Sequence, residues 1–193
     1  MANKNIVIIG VGALGSHLAL FGRNLGNIRV VDFDRIESKN IMSQFHTNMG
    51  KGQNKAVAIQ KAFQGLFGIK LDTNTNRVTK DNSGVVLGLP DVIVDCTDNI
   101  EARHTIRDYV RKHNIPCLHG AMTADGTFAR VVWDEHFVGD SEGVQSQATC
   151  EDGENLPFHG LAASNMAIVL QTFLKSGKKM SLQVTPNAVI RLV

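Results

Sequence analysis

A glycine-rich segment near the N-terminus is the first part of the sequence that could do chemistry. Gly10, Gly12 and Gly15 form a GxGxxG pattern directly after the apolar run 6–9. In such a loop the first glycine permits a tight turn, the second lets the backbone approach phosphate, and the third lets helix and strand pack closely. Unpaired N–H groups at the start of the following helix attract anions, so the pattern predicts a phosphate site.

Asp32 extends this prediction from phosphate to a nucleotide. It ends a second apolar run, 28–31, where a carboxylate can accept both hydroxyls of a ribose lying across the sheet edge. An isolated glycine turn and a solvated aspartate at a strand end are the structural alternative. The two features fit ATP and NAD equally, so an NAD-dependent oxidoreductase is one function that they allow.

Three further segments are not predicted by a simple dehydrogenase pattern. They are residues 32–37 followed by Asn40 and Gln44-Phe45, then Gly52-Gln53-Asn54-Lys55, then residues 95–99 with Arg103. In order and spacing these segments, with the glycine loop, resemble the ThiF/MoeB/HesA family and the related ubiquitin-activating enzymes. The resemblance covers roughly residues 5 to 133.

The resemblance implies a reaction and its participants. In that family, ATP and Mg²⁺ are used to adenylate the C-terminal carboxylate of a small β-grasp protein, and pyrophosphate is released. A carboxylate that attacks the α-phosphate meets a polyphosphate of like charge, so cations and a metal must hold the charge. The implied partner is a ubiquitin-like or sulfur-carrier protein ending in Gly-Gly, and the implied assembly is a homodimer.

The resemblance also implies roles for individual residues. Lys55 would contact the phosphates, Asp98 would hold Mg²⁺ through hard oxygen ligands, and Asn40 and Gln44 would position phosphate or the incoming carboxylate. Arg103 is expected to brace the loop rather than to react. The nucleotide-binding set implied in this way is Gly10, Gly12, Gly15, Asp32, Asp34, Asn40, Gln44, Lys55, Asp98 and Asn99. Taken singly, Lys55 would be a solvated helix charge, and Asp98-Asn99 would be a helix N-cap.

The chain also departs from the family pattern. Ser43 stands where an arginine usually precedes the glutamine, and loss of one such donor typically costs about 3 kcal/mol in the transition state. An arginine-bearing helix before the first strand is expected to be absent, because the chain begins only a few residues before Ile6. Arg35, Lys39 or Lys51 could substitute, or another protein could supply the cation. No paired CxxC motifs occur, so we expect no structural zinc.

Three cysteines fit a reducing cytoplasm better than a disulfide framework. Cys150 is the candidate for a thioester or persulfide, although its acidic neighbours would raise the pKa of its thiol, and an incidental exposed thiol is the alternative. Cys96 and Cys117 are expected in the core. His119 and His159 could line a site, but a structural role is the simpler expectation.

The elements that must position these residues form a doubly wound, mostly parallel α/β sheet with an antiparallel C-terminal extension, as the sequence pattern predicts. Predicted strands are 6–9, 28–31, 69–73, 92–94, 115–118 and 127–133, the last as an exposed antiparallel strand, and 182–193 is predicted to be a hairpin turning at Pro186-Asn187. Predicted helices are 13–25, 53–66, 100–113 and 161–174. Residues 134–158 lack periodicity and predict a crossover or lid.

Composition bounds the functions that remain. The 193 residues predict one domain, 1–193, with 43% apolar and 20% charged residues and a net charge of +2. Nucleic-acid and membrane partners are not expected. The leading hypothesis is a cytoplasmic, ATP-dependent adenylating enzyme. The alternatives are a nucleotide-binding but weakly active or inactive partner subunit, suggested by Ser43 and the short N-terminus, and an NAD-dependent oxidoreductase.

Overall fold

The computed structural model describes residues 4–123, 125–137 and 153–192, and these form an eight-stranded sheet flanked by helices. The strands are β1 (Asn5–Ile9), β2 (Asn27–Val31), β3 (Asp72–Asn74), β4 (Val92–Asp95), β5 (Cys117–Met122), β6 (Ala129–Trp133), β7 (Ser181–Thr185) and β8 (Ala188–Leu192). The α-helices are α1 (Ala13–Gly22), α2 (Lys55–Phe67), α3 (Ser83–Leu87), α4 (Ile100–His113) and α5 (Leu156–Ser176).

The first five strands form the parallel half of the sheet. Their spatial order is β3-β2-β1-β4-β5, so β1 lies between β2 and β4. All four residues of β4 are buried, as expected for a central parallel strand covered on both faces. Ile9 is in register with Val31 of β2 and with Asp95 of β4, so the three strands end together.

The last strands form the antiparallel half, in the order β5-β6-β7-β8. The predicted mixed sheet is therefore confirmed, as is the hairpin with Pro186-Asn187 between β7 and β8. The prediction that strand 127–133 is exposed is wrong, because β6 lies inside the sheet. Ala129, Val131 and Trp133 are each at most 1% exposed.

Helices cover both faces of the sheet. Ile6 and Ile8 of β1 pack in one core with α1, α2 and α5, whereas Val7 and Ile9 pack in a second core with α3 and α4. Successive side chains of a strand point to opposite faces, so β1 contributes to both cores. This arrangement is the doubly wound fold that the alternation of elements predicts.

Trp133, at the end of β6, anchors α5 on the antiparallel half. Its ring is 1% exposed and lies 4.5 Å from the ring of Phe173, measured between centroids. The indole N–H donates to the Met180 carbonyl at 3.1 Å. The buried aromatic ring therefore has its polar atom satisfied, as such rings usually do.

Helix α5 is longer than predicted and shortens the predicted loop. It begins at Leu156 with Pro157 in its first turn, a position where the missing N–H of proline costs little. Residues Asp134–His136 form a 3₁₀ turn. Of the predicted crossover 134–158, residues 138–152 lie outside the described part of the chain, so its proposed lid function stays a prediction.

Other boundaries shift by a few residues, and one helix was not predicted. Helix α1 ends at Gly22 rather than 25, and β3 is Asp72–Asn74 rather than 69–73, whereas α4 matches its prediction. Helix α3 has only five residues, Ser83–Leu87, too few for the period of a helix to show in the sequence. In the described part of the chain, no helix is long and apolar enough to cross a membrane.

One glycine inside α2 and one at its C-cap test how backbone conformation affects the stability of the helix. Gly65 lies inside α2, and a Cβ there would meet nothing within 4 Å. Gly65→Ala should therefore raise the free energy of unfolding by about 1 kcal/mol, measured by urea denaturation. Gly68, the C-cap, has equally open space but a φ of +67°, so Gly68→Ala should lower stability by about 1 kcal/mol. Equal effects of the two changes would contradict this account.

Candidate active site

Three loops leave the parallel half of the sheet at one edge. Gly10 follows β1, Asp32 follows β2, and residues 96–99 follow β4. The strand order reverses between β1 and β4, which is where open α/β sheets bind ligands. The structure therefore brings the glycine loop, Asp32 and the Asp98 loop to one crevice, as the sequence motifs predict.

Each glycine of the loop has its own geometric reason. Gly10 has a φ of +81°, and a Cβ there would lie 2.9 Å from the Cys96 carbonyl oxygen. A Cβ on Gly15 would lie 1.9 Å from the Gly10 oxygen, so α1 can approach β1 only through a glycine. A Cβ on Gly12 would meet only Gln44 Nε2, at 3.9 Å, which leaves room beside the loop.

Helix α1 offers its first N–H groups to an anion. Gly12 is its N-cap, and no side chain of the described residues caps it. Uncapped N–H groups with the positive end of the helix dipole favour a phosphate. This donor set fits the polyphosphate of a nucleotide.

Asp32 holds the glycine loop in place. Its Oδ2 accepts from the Val11 N–H at 2.8 Å and its Oδ1 accepts from the Asp34 N–H at 2.8 Å. Burial raises the pKa of this carboxyl above its usual value, although Lys55 and the two N–H groups oppose the shift. The alternative of a solvated strand end is wrong, because Asp32 is 7% exposed. Its contact with a ribose stays a prediction.

Lys55 is the first residue of α2, which Asn54 caps by accepting from the Val57 N–H at 3.2 Å. The Lys55 side chain is 10% exposed and its Nζ lies 3.4 Å from Asp34 Oδ2. Its charge also acts on Asp32 and His46, both of which contact Val11 of the glycine loop. The alternative of a solvated helix charge is therefore wrong, and the ammonium lies beside Asp34, near two residues that contact the glycine loop.

The segment 40–46 packs beside the glycine loop. Asn40 Oδ1 accepts from the Glu37 N–H at 2.9 Å, so Nδ2 is the part of that side chain that could donate to a ligand. His46 Nε2 lies 2.9 Å from the Val11 oxygen, and burial lowers the pKa of His46 to about 4. His46 is therefore neutral and donates through Nε2, which leaves Nδ1 as an acceptor.

Several polar atoms of this segment are buried and have no hydrogen-bond partner among the described residues. They are Ser43 Oγ, Gln44 Oε1 and His46 Nδ1. Ser43 is 0% exposed, so its hydroxyl does not reach an open crevice in place of an arginine. Of the residues suggested to substitute for the arginine of an N-terminal helix, Arg35 donates to the Gly52 oxygen at 2.8 Å and Lys39 lies 3.5 Å from Glu37.

The loop after β4 carries Asp98 on the surface. Asp98 is exposed, so its carboxylate is accessible to a metal ion from solvent. Asn99 caps α4 by accepting from the Ala102 N–H at 3.0 Å, so the N-cap alternative is confirmed for Asn99. Arg103 Nε donates to the Thr97 oxygen at 2.8 Å and its Nη2 donates to the Gly120 oxygen at 3.1 Å, which confirms that it braces the loop.

Two of the three cysteines lie in the described part of the chain. Burial raises the pKa of Cys96 and of Cys117, so both stay protonated and pack in or against a core, as predicted. Cys150 lies outside the described residues, and its catalytic role stays a prediction. Within the described ranges no group of three or more histidine, cysteine or acidic side chains could hold a metal ion.

Sequence reasoning missed a buried ion network next to the loop. His119 Nδ1 lies 2.9 Å from Asp95 Oδ2, and its Nε2 lies 3.3 Å from Asp134 Oδ1. Burial alone would lower the pKa of His119, but the hydrogen bonds to Asp134 and Asp95 outweigh it and raise that pKa to about 11. A signal was present, since an aspartate and a histidine interrupt two neighbouring apolar strands.

Comparison with known families decides what this crevice belongs to. The ThiF family model matches residues 1–171. This chain belongs to the ThiF family. The match takes in the glycine loop, Asp32, Lys55 and the Asp98 loop, all of which the resemblance assigned to such a family.

Relatives of this ThiF-family chain include adenylyltransferases. The chain is 31% identical over 125 residues to the adenylyltransferase and sulfurtransferase MOCS3 of Dictyostelium discoideum, covering 63% of this chain and 29% of that protein. It is 32% identical over 128 residues to the SAMP-activating enzyme E1 of Haloferax volcanii, covering 63% and 47%. The sulfur carrier protein adenylyltransferase of Thermus thermophilus is 30% identical over 126 residues, covering 63% and 46%. The chain thus spans less than half of these relatives.

Solved structures share the fold. E. coli MccB with MccA-N7isoASN superposes with a TM-score of 0.79 at 17% identity, covering 98% of this chain and 64% of that one. E. coli MccB with ATP gives a TM-score of 0.77 at 18% identity, covering 98% and 63%. The Rossmann-like architecture of this ThiF-family chain is confirmed by these likenesses.

Two glycines should separate ligand binding from folding. Gly12→Ala should leave the melting temperature nearly unchanged, because its Cβ has space, but should weaken ATP binding at least tenfold by occupying the phosphate approach. Gly15→Ala should lower the melting temperature instead, because its Cβ would overlap the Gly10 oxygen. Calorimetric titration with ATP and thermal denaturation measure the two effects. Unchanged ATP affinity in Gly12→Ala would contradict the assignment.

The raised pKa of His119 predicts a pH-dependent stability. Between the ordinary histidine pKa near 6.5 and about 11, the folded chain keeps a proton that the unfolded chain has lost. Stability should therefore fall as pH rises, by up to about 1.4 kcal/mol per pH unit from this group. Urea denaturation at pH 7, 8 and 9 should show a shallower fall in His119→Gln than in the wild type. Identical pH slopes would show that His119 is neutral.

Proposed function

We propose that this chain activates the C-terminal carboxylate of a ubiquitin-like or sulfur-carrier protein by adenylation with ATP. Three features of this ThiF-family chain support the proposal: an uncapped glycine loop after β1, a shielded Lys55 beside Asp34 after β2, and an exposed Asp98 in the loop after β4. Relatives named as adenylyltransferases of sulfur carriers support the same reaction. Membership of the ThiF family favours ATP over a nicotinamide cofactor.

In the proposed reaction, a carboxylate oxygen of the carrier attacks the α-phosphorus of ATP. A P–O bond forms, the bond from the α-phosphorus to the bridging oxygen breaks, and pyrophosphate leaves with the bonding electrons. The glycine-loop N–H groups would bind the polyphosphate, and Lys55 would stabilise the charge that develops on its oxygens.

Mg²⁺ would supply further charge neutralisation at the phosphates. The hard carboxylate oxygens of the exposed Asp98 suit this ion, which typically takes one or two protein carboxylates plus substrate phosphates. Asn40 and Gln44 would orient the reacting groups beside the loop. A role for Cys150 in transfer after activation, one domain over residues 1–193 and a homodimer remain parts of this proposal.

Removing either charge should impair the reaction. Lys55→Met and Asp98→Asn should each reduce magnesium-dependent ATP–pyrophosphate exchange roughly a hundredfold, the usual cost of one charge-stabilising group. The assay needs a candidate carrier protein that ends in Gly-Gly.

Two exposed residues provide matched controls for these variants. Lys61 lies on the same helix as Lys55 and contacts Gln53, and Asp108 lies on α4. Lys61→Met and Asp108→Asn should stay within about twofold of the wild type, since exposed charges contribute little. Exchange that is equal in Lys55→Met and Lys61→Met, or absent with every plausible carrier, would overturn the proposal.

The buried Ser43 favours a second candidate, a nucleotide-binding subunit that needs a partner. The Ser43 hydroxyl is neutral, so it lacks the charge that an arginine at this position would bring to phosphate. It is also 0% exposed, so it does not reach a bound ligand. Calorimetry should then show ATP binding without turnover, and turnover should appear when a second family member is added. Robust turnover by the chain alone would exclude this candidate.

A further inference from the structure

Asp95 is a charged residue in an otherwise apolar strand. It ends β4, is 0% exposed, and follows Val92, Ile93 and Val94, which are also 0% exposed. Burying an ionised carboxylate costs several kcal/mol unless a partner and hydrogen bonds compensate it. The partners of Asp95 therefore determine whether its carboxylate stays ionised and keeps its hydrogen bonds.

His119 compensates this buried charge from the neighbouring strand. The register of β4 and β5 places His119 opposite Asp95, and His119 Nδ1 donates to Asp95 Oδ2 at 2.9 Å. Its other nitrogen donates to Asp134 Oδ1 at 3.3 Å, and Arg111 Nε binds Asp134 Oδ2 at 2.7 Å. The ring of Phe137 stacks on the imidazole at 4.1 Å. Charges of alternating sign thus run from the core to the surface.

The second oxygen of Asp95 holds the loop that leads to Asp98. Asp95 Oδ1 accepts from the Thr97 N–H at 2.9 Å and from the Thr97 hydroxyl at 2.7 Å. Arg103 Nε donates to the Thr97 oxygen at 2.8 Å. The residue before Asp98 is therefore fixed through its N–H, hydroxyl and carbonyl, and two of these three contacts are made by Asp95.

We infer that His119 is a positioning residue for the adenylation proposed above: through Asp95 it fixes Thr97, and so the place of the Asp98 carboxylate. An ionised carboxylate accepts hydrogen bonds more strongly than a protonated acid. Without the Nδ1–H donor of His119, Asp95 Oδ2 is left unsatisfied in the core, which favours the protonated acid and weakens its hold on Thr97. A displacement of about 1 Å at a reacting group is enough to cost up to a hundredfold in rate.

Two conservative substitutions separate this role from simple packing. The change His119→Asn would place an amide nitrogen near the position of Nδ1 and keep the bond to Asp95, whereas His119→Gln would place one near Nε2 and keep the bond to Asp134. Both changes remove the positive charge. If His119 acts through Asp95, the asparagine variant retains more function, and if it only ties β5 to Asp134, the glutamine variant does.

The first readout is magnesium-dependent ATP–pyrophosphate exchange in the full chain. His119→Gln should lower kcat tenfold to a hundredfold and raise the Mg²⁺ concentration for half-maximal rate, with the KM for ATP nearly unchanged. His119→Asn should stay closer to the wild type in both quantities. Arg107→Gln, which removes a cation paired with Asp108 elsewhere on α4, should change neither.

The second readout does not depend on the proposed activity. Hydrogen exchange at the Thr97 amide, compared at matched global stability, should be faster in His119→Gln than in His119→Asn and the wild type. Equal protection of this amide in both variants would overturn the inference whether or not the chain adenylates a carrier. If the Thr97 amide exchanges faster in His119→Gln but the wild type shows no adenylation, the positioning role of His119 stands and the proposed function is wrong.

Discussion

The end of β1 is the constraint on which the site depends. β1 has a parallel neighbour on each side, β2 and β4, so the loops that follow these three strands leave the sheet next to one another. A Cβ added to Gly10 would lie 2.9 Å from the Cys96 carbonyl oxygen in the loop after β4. A Cβ added to Gly15 of α1 would lie 1.9 Å from the Gly10 oxygen, so the start of α1 is almost in contact with Gly10. The crevice is thus bounded by backbone, and backbone N–H groups are the first donors that a ligand would meet.

The charged side chains around this backbone frame differ in exposure and in the contacts that they make. Lys55 is shielded and lies 3.4 Å from the half-exposed Asp34, so the charge of the ammonium is partly neutralised by that carboxylate. Asp32 uses both oxygens to hold the loop. Asp98, in contrast, lies exposed on the loop after β4. One aspartate therefore organises the glycine loop, one screens the lysine and one is available to a metal ion.

The sequence was sufficient for features that depend on local chemistry. The glycine loop, Asp32 and the bounds of α4 follow from residues that are neighbours in the chain, and the parallel half follows from alternating strand and helix patterns. The burial of β6 did not follow, because alternation along a strand does not reveal how many strands lie beyond it. The start of α5 at Leu156 was missed for a related reason, since a proline in the first turn resembles a loop.

The buried network of His119 was missed because it depends on register. Asp95, His119 and Asp134 are 24 and 15 positions apart, and only the pairing of β4 with β5 brings the first two together. The burial of Ser43 Oγ and Gln44 Oε1, which have no hydrogen-bond partner among the described residues, could not be predicted either, because burial depends on tertiary packing.

The anchoring of α5 by Trp133 has a practical consequence. The chain contains a single tryptophan, so its tryptophan emission comes from one place in the molecule. That place is the contact of β6 with Phe173, in the antiparallel half and away from the crevice at the end of β1. Fluorescence therefore records the docking of one helix without a label, and a change in its wavelength on adding nucleotide would report a signal carried across the sheet.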